Sequence, residues 1–172
     1  MPGRVPGTEN EAFMGMIWKG RALSAAEAAR VRQNPESLRE PVGGAGAPPA
    51  VVDLDKAWHG IHWLLTGSAW DGEGPLALAV LGGEQVDEGD GDTPRLLLDA
   101  ANVAAVATAL DAVGVDELRK RYDPHAMSEA EIYPNIWDDE AFDTDLAPGF
   151  ELLKQLYTHA AARDCWVLQT IT

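Results

Sequence analysis

Apolar side chains recur at helical spacing in the stretch DLDKAWHGIHWLLTG, which runs from Asp53 to Gly67. Its apolar positions are three and four residues apart, the period at which side chains share one face of an α-helix. Asp53 is suited to cap the N-terminus of such a helix, and Gly67 is suited to end it. The pattern therefore predicts an amphipathic helix over residues 53–66 that buries one face.

Capping residues mark the other predicted helices. Ser24 and Glu27 have the S-x-x-E spacing of a capping box, so a helix is expected to begin at Ser24 and to end before Pro35. Proline, aspartate or glycine bounds four further segments of helical spacing. These segments span residues 75–81, 99–113, 116–123 and 150–162.

Short apolar runs bounded by turn residues predict the strands. They lie at residues 13–20, 84–86, 94–98 and 165–171. Strands that alternate with helices, and that lie near both ends of the chain, favour an α/β fold. We therefore predict a single-domain three-layer sandwich around a small mixed β-sheet.

Two segments rich in proline and glycine interrupt this pattern. Residues 1–13 are polar and contain two prolines and two glycines, so we predict a disordered N-terminal extension or an over-long start. PVGGAGAPPA, residues 41–50, is predicted to be a flexible loop. It lies too early to separate two domains, because about 40 residues rarely fold alone. A single domain is therefore expected over residues 14–172.

The net charge of −15 is concentrated after residue 40, where seven Lys and Arg face 23 Asp and Glu. The runs EQVDEGDGD (84–92) and DDEAFDTD (138–145) each contain five acids and no base. The negative electrostatic field of these acids repels phosphate backbones, so nucleic acid is not an expected partner. It attracts a basic protein, a cationic ligand or a divalent ion. Solvated loops that aid solubility are the alternative interpretation of both runs.

Neither a membrane-spanning segment nor a signal peptide is visible in the sequence. No apolar run approaches the roughly 20 residues of a membrane-spanning helix, and MPGRVPGTENEAF lacks the apolar segment of a signal peptide. We therefore expect a cytoplasmic protein with no membrane partner. Nine Arg against four Lys, with abundant Ala and Gly, is typical of a GC-rich bacterial genome.

On the predicted helix, a polar stripe formed by Asp55, His59, His62 and Thr66 lies beside the apolar face, because residues three or four positions apart are neighbours. A carboxylate one turn from an imidazole fixes the tautomer of the ring and raises its basicity. Asp55 and His62 are therefore candidate acid–base residues. His59 and His62 are also spaced to share a metal ion, but neither an HExxH pattern nor a third ligand accompanies them, so no metal site is expected.

A structural role is the alternative for the same stripe. In that case Asp55 helps to cap the helix, while His62 and Thr66 hydrogen-bond to neighbouring backbone groups. Trp58 then belongs to the core. The later segment that contains Tyr133 and Trp137 has a similar pair of interpretations, because it either lines a pocket or anchors a loop on the core.

Other candidate chemistry is incomplete. Cys165 is the only cysteine, which excludes an intrachain disulfide and a cysteine-based zinc site, and we expect a buried, unreactive thiol. Ser68 is not in a G-x-S-x-G motif. DEGDGDTP has the composition of a calcium loop without its register. No phosphate-binding glycine loop is present, so no cofactor is expected.

Four segments together carry a resemblance: MGM (14–16), DLDKAWHGIHWLLTG, LRKRYDPHAM (118–127) and IYPNIW (132–137). From about Met14 to the C-terminus the chain resembles the YfbM-like family of bacterial proteins, whose function is unknown. The resemblance implies an α/β three-layer sandwich and no established activity, cofactor or catalytic residue. This sequence departs from the pattern of the family in the loops at 41–50 and 84–92. The positions typical of the family are Asp55, Lys56, Trp58, His62, Thr66, Gly67, Tyr133 and Pro134.

Two functional hypotheses remain. The first is a binding or interaction protein without catalysis, whose acidic surface recognises a basic protein. The alternative is a small-molecule-binding protein or an enzyme, with a pocket between the 53–66 helix and the 133–137 segment. In the alternative, His62 is the base, Asp55 orients it and Tyr133 lies opposite. The ligand-binding residues would be Trp58, His59, Thr66 and Trp137.

Overall fold

The computed structural model describes residues 16–35, 49–87 and 95–171. Within them, five strands form one sheet, namely β1 (Trp18–Leu23), β2 (Val51–Asp55), β3 (Glu84–Asp87), β4 (Arg95–Leu98) and β5 (Trp166–Ile171). The order of the strands across the sheet is β2-β1-β5-β4-β3. The predicted extension at 1–13, most of the loop at 41–50 and the end of the first acidic run lie outside the described residues.

Helices fill most of the connections between the strands. They are α1 (Ala25–Gln33), α2 (Trp58–Thr66), α3 (Pro75–Leu81), α4 (Ala100–Asp111), α5 (Val115–Arg121), α6 (Pro124–Glu129), a π-helix (Phe142–Leu146) and α7 (Ala147–Ala162). The predicted capping box is confirmed at the start of α1, where Ser24 and Glu27 bond to each other's backbone N–H groups. Asp99 caps α4 as predicted, through a bond from the N–H of Asn102.

Side chains of the strands alternate between the two faces of the sheet. Trp18 of β1 joins the large apolar core, which α4 and α7 cover. Leu23 of the same strand joins a smaller apolar cluster, which α1 covers. The sheet therefore lies between two helical layers, and the predicted single-domain α/β sandwich is confirmed.

The sheet itself differs from the prediction, because every strand pairing in the described part of the chain is antiparallel rather than mixed. Alternating strands and helices are typical of parallel crossovers. Here the helical connections instead return each strand beside a neighbour of opposite direction. β1, for example, lies between β2 and β5 and is antiparallel to both.

The predicted helix over residues 53–66 is wrong in its first part. Residues up to Asp55 form β2, where Lys19 of β1 pairs with Asp53, and α2 begins only at Trp58. The N-cap of α2 is Ala57, and Asp53 instead accepts the N–H of Asp55 at 2.7 Å. Leu54 is buried in the core from its position on β2. The helical spacing also placed it on a buried face, so its burial does not distinguish a strand from a helix. The predicted C-cap, Gly67, is confirmed with φ of 74°.

β1 begins and ends later than predicted. Gly20 was expected to end the strand, but it lies within it. A Cβ atom at Gly20 would lie 2.4 Å from the indole of Trp18 and 2.6 Å from Leu156. Glycine is therefore required there by close packing between the sheet and α7, and it does not mark a turn.

The five acids of the second acidic run are exposed to solvent, as the alternative interpretation expected, but the run is a loop only in its first residues. Its last residues form the π-helix, which continues directly into α7. The carboxylate of Asp138 starts this helical segment by accepting the N–H groups of Glu140 and Ala141, both at 2.9 Å. Acidic residues at the start of a helix are favoured by the helix dipole, which explains the composition of the run.

Candidate functional site

The two histidines of α2 bind the loop that follows the helix. His59 and His62 are each 1 % exposed. The Nε2 atom of His59 lies 2.8 Å from the carbonyl oxygen of Ala69, and that of His62 lies 2.9 Å from the carbonyl oxygen of Asp71. A carbonyl oxygen only accepts hydrogen bonds, so Nε2 is the protonated nitrogen of each ring. We refer to residues 67–74 as the Trp70 loop.

The remaining ring nitrogens differ between the two histidines. The Nδ1 atom of His59 accepts the backbone N–H of Tyr133 at 2.8 Å, so both nitrogens of this ring are used. The Nδ1 atom of His62 is buried, and no described residue bonds to it. Burial lowers the pKa of His59 from 6.5 to about 4 and also lowers the pKa of His62. Both rings are therefore neutral at physiological pH.

This geometry does not provide the acid–base pair that the sequence indicated. Asp55 ends β2 and precedes α2, so the predicted stripe on one helix does not form. A general base needs a lone pair that a substrate can reach. The free lone pair of His62 is buried, and that of His59 is occupied. Tyr133 is buried and stacks on Trp58 at a centroid distance of 5.8 Å.

Thr66 and Ser68 hold the beginning of the Trp70 loop. The hydroxyl of Thr66 donates to the carbonyl oxygen of His62 at 2.8 Å and accepts the N–H of Ser68 at 3.1 Å. The hydroxyl of Ser68 accepts the N–H of Asp71 at 3.1 Å. Together with the two histidines, these bonds fix the backbone on both sides of Trp70.

Trp70 is 62 % exposed although its backbone is fixed. Its indole rests on the ring of His59 at a centroid distance of 4.4 Å and lies 6.2 Å from the ring of Trp58. Trp58 is buried, and its Nε1 donates to the carbonyl oxygen of Met16 at 3.0 Å. The exposed indole therefore stands on a buried aromatic stack. Trp70 was not among the candidates predicted from the sequence, in which its signal is a tryptophan within a turn that contains glycine.

A separate cavity of about 300 Å³ lies where β2 ends. Its walls come from residues 53–57, from the 134–137 segment and from residues 141–152. Asp55 and Trp137, two of the predicted site residues, line it, whereas His59, His62, Thr66 and Tyr133 do not. The full lining is Asp53, Leu54, Asp55, Lys56, Ala57, Pro134, Ile136, Trp137, Ala141, Thr144, Asp145, Pro148, Gly149 and Leu152.

Two glycines allow the elements that form the cavity walls to pack closely. A Cβ atom at Gly60 would lie 2.7 Å from the indole of Trp137, so only glycine lets this ring lie on α2. A Cβ atom at Gly149 would lie 2.9 Å from the side chain of Ile61, so glycine at this position lets α7 pack closely on α2. The Nε1 atom of Trp137 donates to the carbonyl oxygen of Ile132 at 2.8 Å and fixes the ring.

The other sequence candidates lie apart from both features. Cys165 is half-buried rather than buried as predicted, and burial together with nearby Glu27 raises the pKa of its thiol. Among the described residues, no three His, Cys, Asp or Glu side chains are grouped closely enough to hold a metal ion. None of the helices described here has the length and apolar character needed to cross a membrane.

Residues 14–170 match a family model described as a domain of unknown function, DUF1877. The chain belongs to this family. The DUF1877 match confirms the resemblance that the motifs from MGM to IYPNIW indicated. It covers nearly all of the chain and assigns no activity.

Protein YfbM of Escherichia coli (strain K12) is 34 % identical over 98 residues, which are 55 % of this chain and 58 % of that protein. This DUF1877 chain therefore matches less than two thirds of the length of that relative. The crystal structure of Escherichia coli YfbM, a protein of unknown function, matches with a TM-score of 0.72 and 24 % identity. The match covers 91 % of this chain and 100 % of that chain. At this identity the similarity shows the fold alone.

Proposed function

We propose that this protein is a cytoplasmic binding protein without catalysis, and that it recognises a basic protein partner through the Trp70 loop. The observation that carries the proposal is the exposed indole of Trp70, held between two carbonyl groups that His59 and His62 bind. Two buried imidazoles are used to fix one loop. Their role supports presentation of the loop rather than proton transfer.

A fixed, exposed tryptophan is suited to be the centre of an interface. Tryptophan is enriched among the residues that contribute most binding energy at protein interfaces. Ordering a flexible loop on binding costs free energy, and a loop that is already ordered avoids this cost. The bonds from Thr66, His59 and His62 order this loop before any partner arrives.

The loop carries two acids and no base, which favours a basic partner. Asp71 and Glu73 of the loop are exposed. The sequence has no Lys or Arg between Lys56 and Arg95, and the chain carries a net charge of −15. A negative field accelerates association with a positive partner. The free face of an indole also attracts guanidinium groups, for which tryptophan is the best aromatic partner.

The test measures binding of fluorescent octa-arginine to the full chain by anisotropy, at low and at physiological salt. We expect binding that Trp70→Ala weakens about tenfold, because a cation–π contact and its apolar area are lost. His125→Ala is the control, since His125 is an exposed ring on α6 that lies outside both the loop and the cavity at the end of β2. Octa-glutamate is the charge control.

Two results would overturn the proposal. One is equal affinity of wild type and Trp70→Ala for octa-arginine, which would show general electrostatic attraction without a site. The other is the absence of octa-arginine binding even at low salt, where screening is weakest.

A further inference from the structure

We infer that the cavity at the end of β2 is a second binding site, and that its ligand is a small organic cation with an amine group and a short apolar part. This site is separate from the Trp70 loop, and its ligand is a small molecule rather than a protein. The inference therefore does not depend on the proposed function.

The shape and lining of the cavity are those of a small-molecule site. Its volume of about 300 Å³ lies at the lower end of the range for ligand pockets. Its floor contains the buried residues Leu54, Ala57 and Gly149, and the indole of Trp137 forms one side. Ligand pockets typically combine such an apolar floor with a few polar groups that orient the ligand. A short alkyl or aryl group has the size to fill this floor.

The charged groups of the cavity select the sign of the ligand. Asp53, Asp55 and Asp145 line it, against the single ammonium group of Lys56. All three carboxylates belong to exposed residues, so they stand near solvent rather than on the floor. An ammonium group at the rim would gain charge-assisted hydrogen bonds to them. A carboxylate or phosphate group there would be repelled.

An organic cation fits this arrangement better than a metal ion does. A metal ion requires several ligands that converge on one point. No such group of three acidic, histidine or cysteine side chains occurs in the part of the chain that the structure describes. Carboxylates spread around an apolar floor instead match a molecule that is charged at one end and apolar at the other.

Hydrogen bonds within the protein hold the walls of the cavity in place. The bond from Trp137 to the carbonyl oxygen of Ile132 fixes one wall. The carboxylate of Asp138 caps the helical segment that forms another wall. Asp55 adopts φ of 50° and Asn135 adopts φ of 60°, left-handed conformations that aspartate and asparagine tolerate better than other residues with a Cβ atom.

The experiment compares three ligands of equal chain length, namely hexylamine, hexanol and hexanoate, against the full-length protein. Binding is followed by thermal shift and by the NMR signal of the Trp137 indole N–H, which Trp137→Phe identifies. We expect hexylamine to stabilise the protein and to move this signal, hexanol to act weakly, and hexanoate to have no effect. Spermidine tests whether a ligand with several amines is preferred.

Variants locate the site. Asp55→Asn and Asp145→Asn should each weaken hexylamine binding roughly fivefold, as expected for partly exposed charge pairs. Thr144→Trp, at an exposed lining position, should abolish it by filling the cavity. Asp111→Asn, an exposed acid on α4 that does not line the cavity, is the matched control and should leave it unchanged.

The outcomes are distinct. Equal binding of hexylamine and hexanol would overturn the preference for a cation. Hexylamine binding that survives Thr144→Trp, or no binding at all, would overturn the site. Trp70→Ala should retain hexylamine binding, so the result separates this inference from the proposal for the Trp70 loop.

Discussion

In the Trp70 loop, two buried imidazoles hold the backbone while an indole faces solvent. In the cavity at the end of β2, apolar side chains are buried and carboxylates stand at the rim. The first arrangement places polar groups inside and an apolar group outside, and the second is the reverse. The difference indicates two kinds of recognition: an exposed apolar residue suits a partner surface, and an enclosed apolar floor suits a small molecule.

The same comparison separates the roles of charged and neutral polar groups. His59 and His62 are neutral and satisfy backbone carbonyls, so they act within the protein. Asp55 and Asp145 lie at the cavity rim, where a ligand can reach them. Four predictions follow from this contrast, and the first two test the histidines.

The largest expected effect is that of His59→Ala. The change leaves the carbonyl oxygen of Ala69 and the N–H of Tyr133 without their partner, and it removes the ring on which Trp70 rests. A buried unsatisfied group costs about 1–3 kcal/mol, and loss of packing adds to this. We expect the free energy of unfolding in urea to fall by about 4 kcal/mol. His125→Ala, on the exposed surface of α6, should change it by less than about 0.5 kcal/mol. A loss at position 59 no larger than at position 125 would contradict a structural role.

The second prediction concerns pH. Burial lowers the pKa of His59 from 6.5 to about 4, so between these values the unfolded chain binds a proton that the folded protein does not. The free energy of unfolding should therefore fall as the pH decreases from 6.5 to 4, by up to about 3 kcal/mol, and this contribution is constant outside that interval. Urea titrations across this pH range measure the slope.

His59→Gln provides the control for this pH dependence. Its amide can donate to Ala69 and accept from Tyr133, but it does not titrate. The free energy of unfolding of the variant should depend less on pH than that of the wild type. The difference should equal the contribution of His59. Identical slopes in the two proteins would show that other groups, such as His62 or the carboxylates, cause the loss of stability at low pH.

How far the sequence predicts this molecule depends on how local each interaction is. The capping box of Ser24 and Glu27 and the C-cap at Gly67 are fixed by residues within a few positions, and both were predicted. Asp53 and Asp55 were misassigned because their conformation depends on pairing with β1, more than 30 positions away. The local spacing of apolar residues was compatible with a helix, and only tertiary pairing made the segment a strand.

The two sites were less predictable than the fold for the same reason. The histidines of α2 were visible as candidates, but their partners are carbonyl groups of the Trp70 loop, and backbone groups leave no signal in the sequence. The cavity combines residues 53–57, 134–137 and 141–152, which are brought together by packing that requires Gly60 and Gly149. A pocket between the segments of Asp55 and Trp137 was predicted, but the wall that residues 141–152 contribute could not be derived without the position of α7.

Gly60→Ala tests the cavity wall and should have an intermediate effect. The new methyl group would lie 2.7 Å from both Trp137 and Leu146, so the indole must move. Overpacking typically costs 1–3 kcal/mol, while alanine gains about 1 kcal/mol over glycine in a helix. We expect a net loss of about 1–2 kcal/mol in urea unfolding, together with a displaced Trp137 indole signal and weaker hexylamine binding. Octa-arginine binding at the Trp70 loop should persist. A stabilised variant would show that Trp137 does not pack on α2 as described.

The smallest effect on stability is expected for Trp70→Ala, and this small effect distinguishes recognition from packing. Trp70 is mostly exposed and contacts chiefly the ring of His59, so its removal should lower the free energy of unfolding by about 1 kcal/mol or less. The same variant is expected to lose about tenfold in affinity for octa-arginine. A residue that matters little for folding and greatly for binding is placed for a partner, because only the partner covers its exposed face. If Trp70→Ala instead unfolds as readily as His59→Ala, the indole is a part of the buried aromatic stack, and the two histidines hold the loop for stability alone.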